Sequence, residues 1–300
     1  MRRFSNAQRT AGLLLRIAFL LAVQTAFAQT SPSPKAALSP RVRDRTFHSQ
    51  SLDRDMHYRI VLPAGYNQSQ QRYPVFYLLH GWAGDYKNWV TLTKLVEYSQ
   101  PYAMVIVMPD AQNSWYVNSA TVPADRFEDY ITDDLLHEID AHWRTIASPQ
   151  RRSIAGLSMG GYGSLLFGLK HAGSFAAVGS VSGALDGPAG AEKVMPELRE
   201  STDRAFGPPG SATRMDNNIY SLLAKADRSK IPYLFLECGS EDPFLFSNRK
   251  ITEALSSKNI SYEYHEYPGA HAWEFWNSSL PMMLKVIATR MVADSIATKR

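Results

Sequence analysis

The run Ile154-Ala155-Gly156-Leu157-Ser158-Met159-Gly160-Gly161-Tyr162-Gly163 constrains this chain more than any other stretch. A short apolar segment leads to Ser158, and small residues stand two positions before and after it. A Cβ at either position would crowd a tight bend, and both are glycine. The run predicts a strand, a sharp turn that exposes the Ser158 hydroxyl, and then a helix. A phosphate cradle fits poorly, because no Lys-Ser/Thr pair follows and Gly161-x-Gly163-x-x-Leu166 breaks the dinucleotide pattern.

The remainder of the chain has the rhythm that such a turn requires. Short runs rich in Val, Ile, Tyr and Phe at 56–62, 74–79, 104–108, 153–155, 176–182, 232–236 and 260–267 read as strands. Helical patterns lie between them, the clearest over 126–143, where Phe127, Tyr130, Ile131, Leu135, Ile139 and Trp143 recur at three to five residues. Strands alternating with helices predict an α/β fold: a mostly parallel central sheet with helices on both faces and its functional groups at the carboxyl ends of the strands. Residues 187–230 interrupt the alternation with charges, Pro196, Pro208 and Pro209, and are expected to form a small helical insertion that shapes the substrate pocket.

The amino terminus has a different character. Arg2, Arg3, Arg9 and Arg16 accompany an apolar run from Leu13 to Val23 that closes on Ala26-Phe27-Ala28. This is the pattern of a signal peptide over 1–28, too short for a comfortable membrane span. A Pro/Ser/Ala linker is expected over 29–42 and a single domain over 43–300. The chain carries 32 basic and 28 acidic side chains, and four of the arginines lie in the leader, so the remainder balances at 28 against 28. No basic excess is left to recruit nucleic acid or an anionic membrane surface. The expected location is secreted or periplasmic, with no stable membrane anchor once the leader is cut. Cys238 is the only cysteine. It ends an apolar run and reads as a buried thiol, not a nucleophile.

A serine is a weak nucleophile at its free pKa and needs a base, itself oriented by a third group. Asp242, in Gly239-Ser240-Glu241-Asp242-Pro243, and His271, in Pro268-Gly269-Ala270-His271, each follow a predicted strand. The order Ser158, Asp242, His271 is that of the α/β-hydrolase triad. Glu241 and Asp186 are rival acids, and His265, inside an alternating strand, is a rival base. Two backbone N–H groups should receive the oxyanion: Met159, after the nucleophile, and Trp82, in the loop opened by His80-Gly81. His80 itself is expected to be structural. Trp115 and Tyr116 follow another strand and either line an acyl or alcohol pocket or pack a lid. His137 and His142 are five apart, which places them roughly 140° from each other on a helix, so no metal is expected there.

Taken together, Leu78-Leu79-His80-Gly81-Trp82, Gly156 to Gly163, Glu237 to Asp242 and Gly269-Ala270-His271 resemble the esterase D family of serine α/β-hydrolases across about residues 45–290. Its members include S-formylglutathione hydrolases, feruloyl and acetyl esterases and mycolyltransferases. The resemblance implies a cofactor-free carboxylesterase working through an acyl-enzyme on Ser158, with a small-molecule or carbohydrate-linked ester as substrate. Transfer of the acyl group to a sugar hydroxyl, or a non-catalytic binding role, are the alternatives. Trp82 stands where relatives often carry an aliphatic residue, and is expected to narrow the acyl pocket. The leader sets the chain apart from a glutathione-pathway role.

Overall fold

The structure, a computed structural model, describes residues 38–297. The expected leader and most of the expected linker lie outside the described residues. The linker's last positions, 39–42, are already bonded into the domain. Val42 opens the first strand, and the Arg41 guanidinium donates to the carbonyls of Leu62 and Val96 at 2.7 and 2.8 Å.

Eight strands form one sheet in the order β1-β2-β4-β3-β5-β6-β7-β8. They are β1 (Val42–Ser49), β2 (Arg54–Val61), β3 (Val75–Leu79), β4 (Val105–Pro109), β5 (Arg152–Leu157), β6 (Ala177–Val181), β7 (Tyr233–Gly239) and β8 (Tyr262–Tyr267). β1 pairs antiparallel with β2 and β2 antiparallel with β4, while every pair from β4 to β8 is parallel. The expected α/β architecture is therefore present, with one strand added. β1 escaped the sequence reading because it is an edge strand: only its end residues, Val42 and Ser49, are buried, and Arg43, Asp44 and Arg45 break any apolar run.

The central strands are largely apolar because both faces are covered. Val75, Tyr77 and Leu79 of β3 face one core with the helix Met159–Lys170. Phe76 and Leu78 face the other, with Leu280, Leu284 and Ile287 of the helix Trp273–Ala297. The pattern over 126–143 folds as a short α-turn, a wide π-helical stretch Tyr130–Leu135 and the helix Leu136–His142. Residues 187–230, between β6 and β7, contain the helices Gly187–Val194, Arg199–Phe206, Ala212–Asp216 and Ile219–Lys225.

Candidate active site

Ser158 stands between β5 and the helix Met159–Lys170 with φ 54° and ψ −117°, a conformation that side chains disfavour. The surrounding backbone holds it there. Its N–H donates to Val181 at 3.0 Å, and its carbonyl accepts from Tyr162 at 3.0 Å and Ala184 at 3.2 Å. The flanking glycines are required by distance: a Cβ on Gly156 would lie 2.5 Å from the Gly160 carbonyl carbon, and one on Gly160 would lie 2.6 Å from the His80 carbonyl oxygen. Six of the eight non-glycine residues with positive φ among the described residues follow β3 to β6: Ala83, Gln112, Trp115, Tyr116, Ser158 and Ser182. Backbone strain is therefore concentrated where the strand ends converge.

His271 Nε2 lies 3.0 Å from the Ser158 hydroxyl, 113 residues away along the chain, and its Nδ1 lies 2.9 Å from Asp242 Oδ2. The buried carboxylate accepts from Nδ1–H, which leaves Nε2 free to accept the serine proton. Asp242 Oδ1 accepts from the Phe244 N–H at 2.8 Å, so both carboxylate oxygens are satisfied. The loops after β7 and β8 are tied to each other by Ser240 N–H to Tyr267 and Glu241 N–H to Gly269, at 2.8 and 2.9 Å. The His271 ring packs between Phe244 and Trp276, with centroids 5.1 and 5.0 Å away. The rival residues point elsewhere. Glu241 is exposed, Asp186 binds Tyr220 and Lys250, and His265 binds Glu263 on the strand itself.

Neither the Trp82 nor the Met159 N–H has a hydrogen-bond partner among the described residues. Met159 N–H opens a helix, where the backbone dipoles add positive potential. The peptide carrying the Trp82 N–H is fixed from its other end. The Gly81 carbonyl accepts from His80 Nδ1–H at 2.8 Å and from the Gly84 N–H at 3.1 Å. In a trans peptide this directs the Trp82 N–H the opposite way. His80 Nε2 accepts from the Ala111 N–H at 2.9 Å, and burial lowers the His80 pKa, so the ring is the neutral Nδ1–H form. The structural role expected of His80 is the clamping of this loop.

Ser158, Met159, His271 and Trp82 open onto a chamber of about 160 Å³ whose other walls include Trp115, Met195, Leu198, Trp273 and Trp276. Met195 and Leu198 belong to the insertion. They, with Trp273 and Trp276, escaped the sequence reading, although the Trp273/Trp276 spacing after His271 was a usable signal. Trp115 lines the chamber and also packs on Tyr162 and Phe206. Tyr116 lines neither this chamber nor its larger neighbour. Its hydroxyl donates to the His80 carbonyl at 2.8 Å and its ring fills the space beside Gly163, so the packing alternative describes it. Burial pushes the Cys238 thiol well up. Among the described residues, no group of three or more His, Cys, Asp or Glu side chains could hold a metal ion.

A serine raised on a strand-to-helix turn, bonded to a histidine and through it to a buried carboxylate on this sheet, is the arrangement of the serine α/β-hydrolases. Residues 49–287 match the esterase family described as "Putative esterase", and the chain belongs to that family, as the resemblance implied. It is a carboxylic ester hydrolase. An acetyl esterase of Caldicellulosiruptor saccharolyticus is 31% identical over 249 residues, covering 77% of this chain and 92% of that protein. An esterase of Mycobacterium tuberculosis is 29% identical over 259 residues, covering 78% of this chain and 56% of that longer protein. Among solved structures, a ferulic acid esterase superposes with a TM-score of 0.72 at 25% identity, covering 83% of this chain and 98% of its own. A fluorophosphonate-binding serine hydrolase of Staphylococcus aureus gives 0.75 at 23% identity, covering 82% and 98%, and shares the fold.

Proposed function

We propose that Ser158 is the nucleophile of this esterase, His271 its general base and acid, and Asp242 the group that orients His271. The observation that carries this reading is the continuous row from Ser158 Oγ to His271 Nε2 and from His271 Nδ1 to Asp242. As Oγ attacks the ester carbonyl, its proton passes to Nε2, and the imidazolium is stabilised by Asp242. The carbonyl oxygen becomes anionic within reach of the Trp82 and Met159 N–H groups, where one donor is worth about 3–4 kcal/mol in a measured case from another enzyme. His271 then protonates the departing alcohol. Water, deprotonated by the same nitrogen, attacks the acyl-enzyme and releases the acid and free Ser158. Acid that protonates His271 before attack stops the cycle.

The small chamber is well below the usual volume for a drug-sized ligand, which favours a short acyl group such as acetyl at Ser158. The name of the acetyl esterase relative supports the same choice. Transfer to a sugar hydroxyl is not favoured by relatives named as esterases. The Arg-flanked apolar leader and Ala26-Phe27-Ala28 support export, with Gln29 as the first mature residue.

A fluorophosphonate probe should label the wild-type protein and not Ser158→Ala, which should lose p-nitrophenyl acetate hydrolysis by on the order of a million-fold. Labelling that persists in the folded variant overturns the assignment. Amino-terminal sequencing of the protein from the cell exterior or periplasm tests export, and an uncleaved cytosolic chain refutes it.

A further inference from the structure

A second cavity of about 320 Å³ lies against the chamber that holds Ser158, and among the described residues Trp82 alone lines both. The wall is reinforced by Trp115, whose Nε1–H donates to Ser201 Oγ at 3.1 Å. Trp115 faces the Ser158 chamber, and Ser201 faces the larger one. The insertion roofs both. Met195 and Leu198 turn toward Ser158, whereas Glu197, Glu200 and Arg204 turn into the second cavity. One short stretch of chain therefore presents an apolar face to the reacting carbon and a polar face to the space beyond it.

We infer that this second cavity is a subsite for the far end of the acyl group, and that it favours an end bearing hydroxyls over one bearing negative charge. The inference rests on the reading of Ser158 as nucleophile. The strand order supplies the direction. Asp242 and His271 follow β7 and β8, on one side of β5, whereas Trp82 and the loop 112–117 follow β3 and β4, on the other. The leaving oxygen must lie against His271 Nε2 to take its proton, so the group that extends past Trp82 is the acyl half.

The lining supplies the chemistry. Phe127 and Val117 offer apolar surface for the body of a longer acyl group, and the Asn113 amide nitrogen, whose neighbouring oxygen accepts from the Ala83 N–H, offers a hydrogen-bond donor. Asp125 is already engaged, by Arg54 at 3.1 Å and Arg204 at 2.6 Å. Glu197 and Glu200 form no ion pair among the described residues, so they accept hydrogen bonds from hydroxyls and repel an anion. The buried indole Nε1 of Trp82 has no partner among the described residues and is a free donor in the wall itself. A short acyl group fits without disturbing this wall; a longer one displaces the Trp82 side chain while the backbone donor stays in place.

Three p-nitrophenyl esters matched in length test this: 3-phenylpropanoate, its para-hydroxy form and its para-carboxy form. The expected kcat/KM for the hydroxy acyl group exceeds that for the carboxy group by about tenfold at low salt, and the gap shrinks as salt screens the carboxylates. Glu197→Gln with Glu200→Gln should bring the two within about threefold of each other, and Trp82→Leu should raise all three relative to acetate. Circular dichroism checks that each variant is folded. Equal rates on the hydroxy and carboxy esters, or a gap that the glutamine variant does not move, overturns the inference. Wild-type acetate hydrolysis and probe labelling report on Ser158 separately. A wild type that cleaves acetate but treats the three esters alike loses the subsite alone, and one that cleaves none of these esters and takes no probe loses both readings.

Discussion

Around Ser158 the backbone is packed so closely that no added side chain fits, whereas residues 187–230 are held by a few buried apolar side chains, among them Leu198, Phe206, Ile219 and Leu223, and by polar side chains around them. At the turn, Gly156 touches Gly160, Gly160 touches the root of the His80-Gly81 loop, and a Cβ on Gly239 would lie 2.2 Å from the Gly269 carbonyl. The insertion is anchored by Arg204 on Asp125, by Lys170 Nζ on Asn217 Oδ1 at 3.0 Å and by the Tyr162 hydroxyl on the Asn217 carbonyl at 2.7 Å. Arg204 is half-exposed, so part of its interaction is screened by water. The contrast teaches that the reacting groups are placed by contacts that tolerate no substitution. Beside its apolar anchors, the insertion that walls the pocket carries polar contacts that can be altered one at a time, and these can change preference while the reaction stays the same.

Gly160→Ala attacks the rigid side of that comparison and should have the largest effect. Its methyl would lie 2.6 Å from the His80 oxygen and 2.8 Å from the Leu79 oxygen, both backbone atoms. The turn or the oxyanion loop must move. We expect about 1–3 kcal/mol of destabilisation in chemical denaturation and about a 100-fold loss of kcat/KM on p-nitrophenyl acetate. Unchanged activity would break the comparison.

Asp125→Asn attacks the adaptable side. Arg54 and Arg204 lose the carboxylate they share; half-exposed Arg204 can recover water, whereas Arg54 Nε and Nη2 are buried without partners among the described residues, so the cost is about 2 kcal/mol. The ratio of long-acyl to acetate turnover should change more than the acetate rate itself. A loss confined to acetate turnover would place the insertion among the reacting groups instead.

Glu128→Gln sharpens the comparison where the two regions join, and should have the smallest effect. Burial raises the Glu128 pKa, but hydrogen bonds from His171 and Lys170, at the end of the helix that begins beside Ser158, outweigh burial and hold it below its ordinary 4.5. A depressed folded value means that the stabilisation is complete above the unfolded value and is lost as pH falls through the folded one. Glu128→Gln should therefore cost about 1 kcal/mol at pH 7, with the difference from wild type narrowing toward pH 3. A difference independent of pH would assign the effect to packing.

The inner parallel strands were legible because burial on both faces leaves them largely apolar, β8 because Tyr alternates with polar residues, and the serine turn because only glycine fits beside it. β1 was not, since an edge strand with one neighbour and an exposed row of charges needs no apolar pattern. Tyr116 was ambiguous for a related reason: an aromatic residue after a strand serves equally as a pocket wall or as packing, and the answer came from its hydroxyl meeting the His80 carbonyl. Asp242 was the acid the sequence named, with Glu241 as its rival; the loops after β7 and β8, side by side, put Asp242 against His271 and leave Glu241 exposed. Adjacent carboxylates in a turn look alike until one of them is buried against an imidazole.

What the sequence determined by itself was the serine turn, the α/β fold around it and the chain order of the residues that meet at Ser158, because a glycine-flanked turn leaves few alternatives. The tertiary structure alone decided how the Gly81 carbonyl is pinned so that the Trp82 N–H is directed, and that Trp82 stands between two chambers of different polarity. Those features are made by loops far apart in the chain, brought together by the strand order, and they depend on distances and directions that spacing along a sequence does not encode.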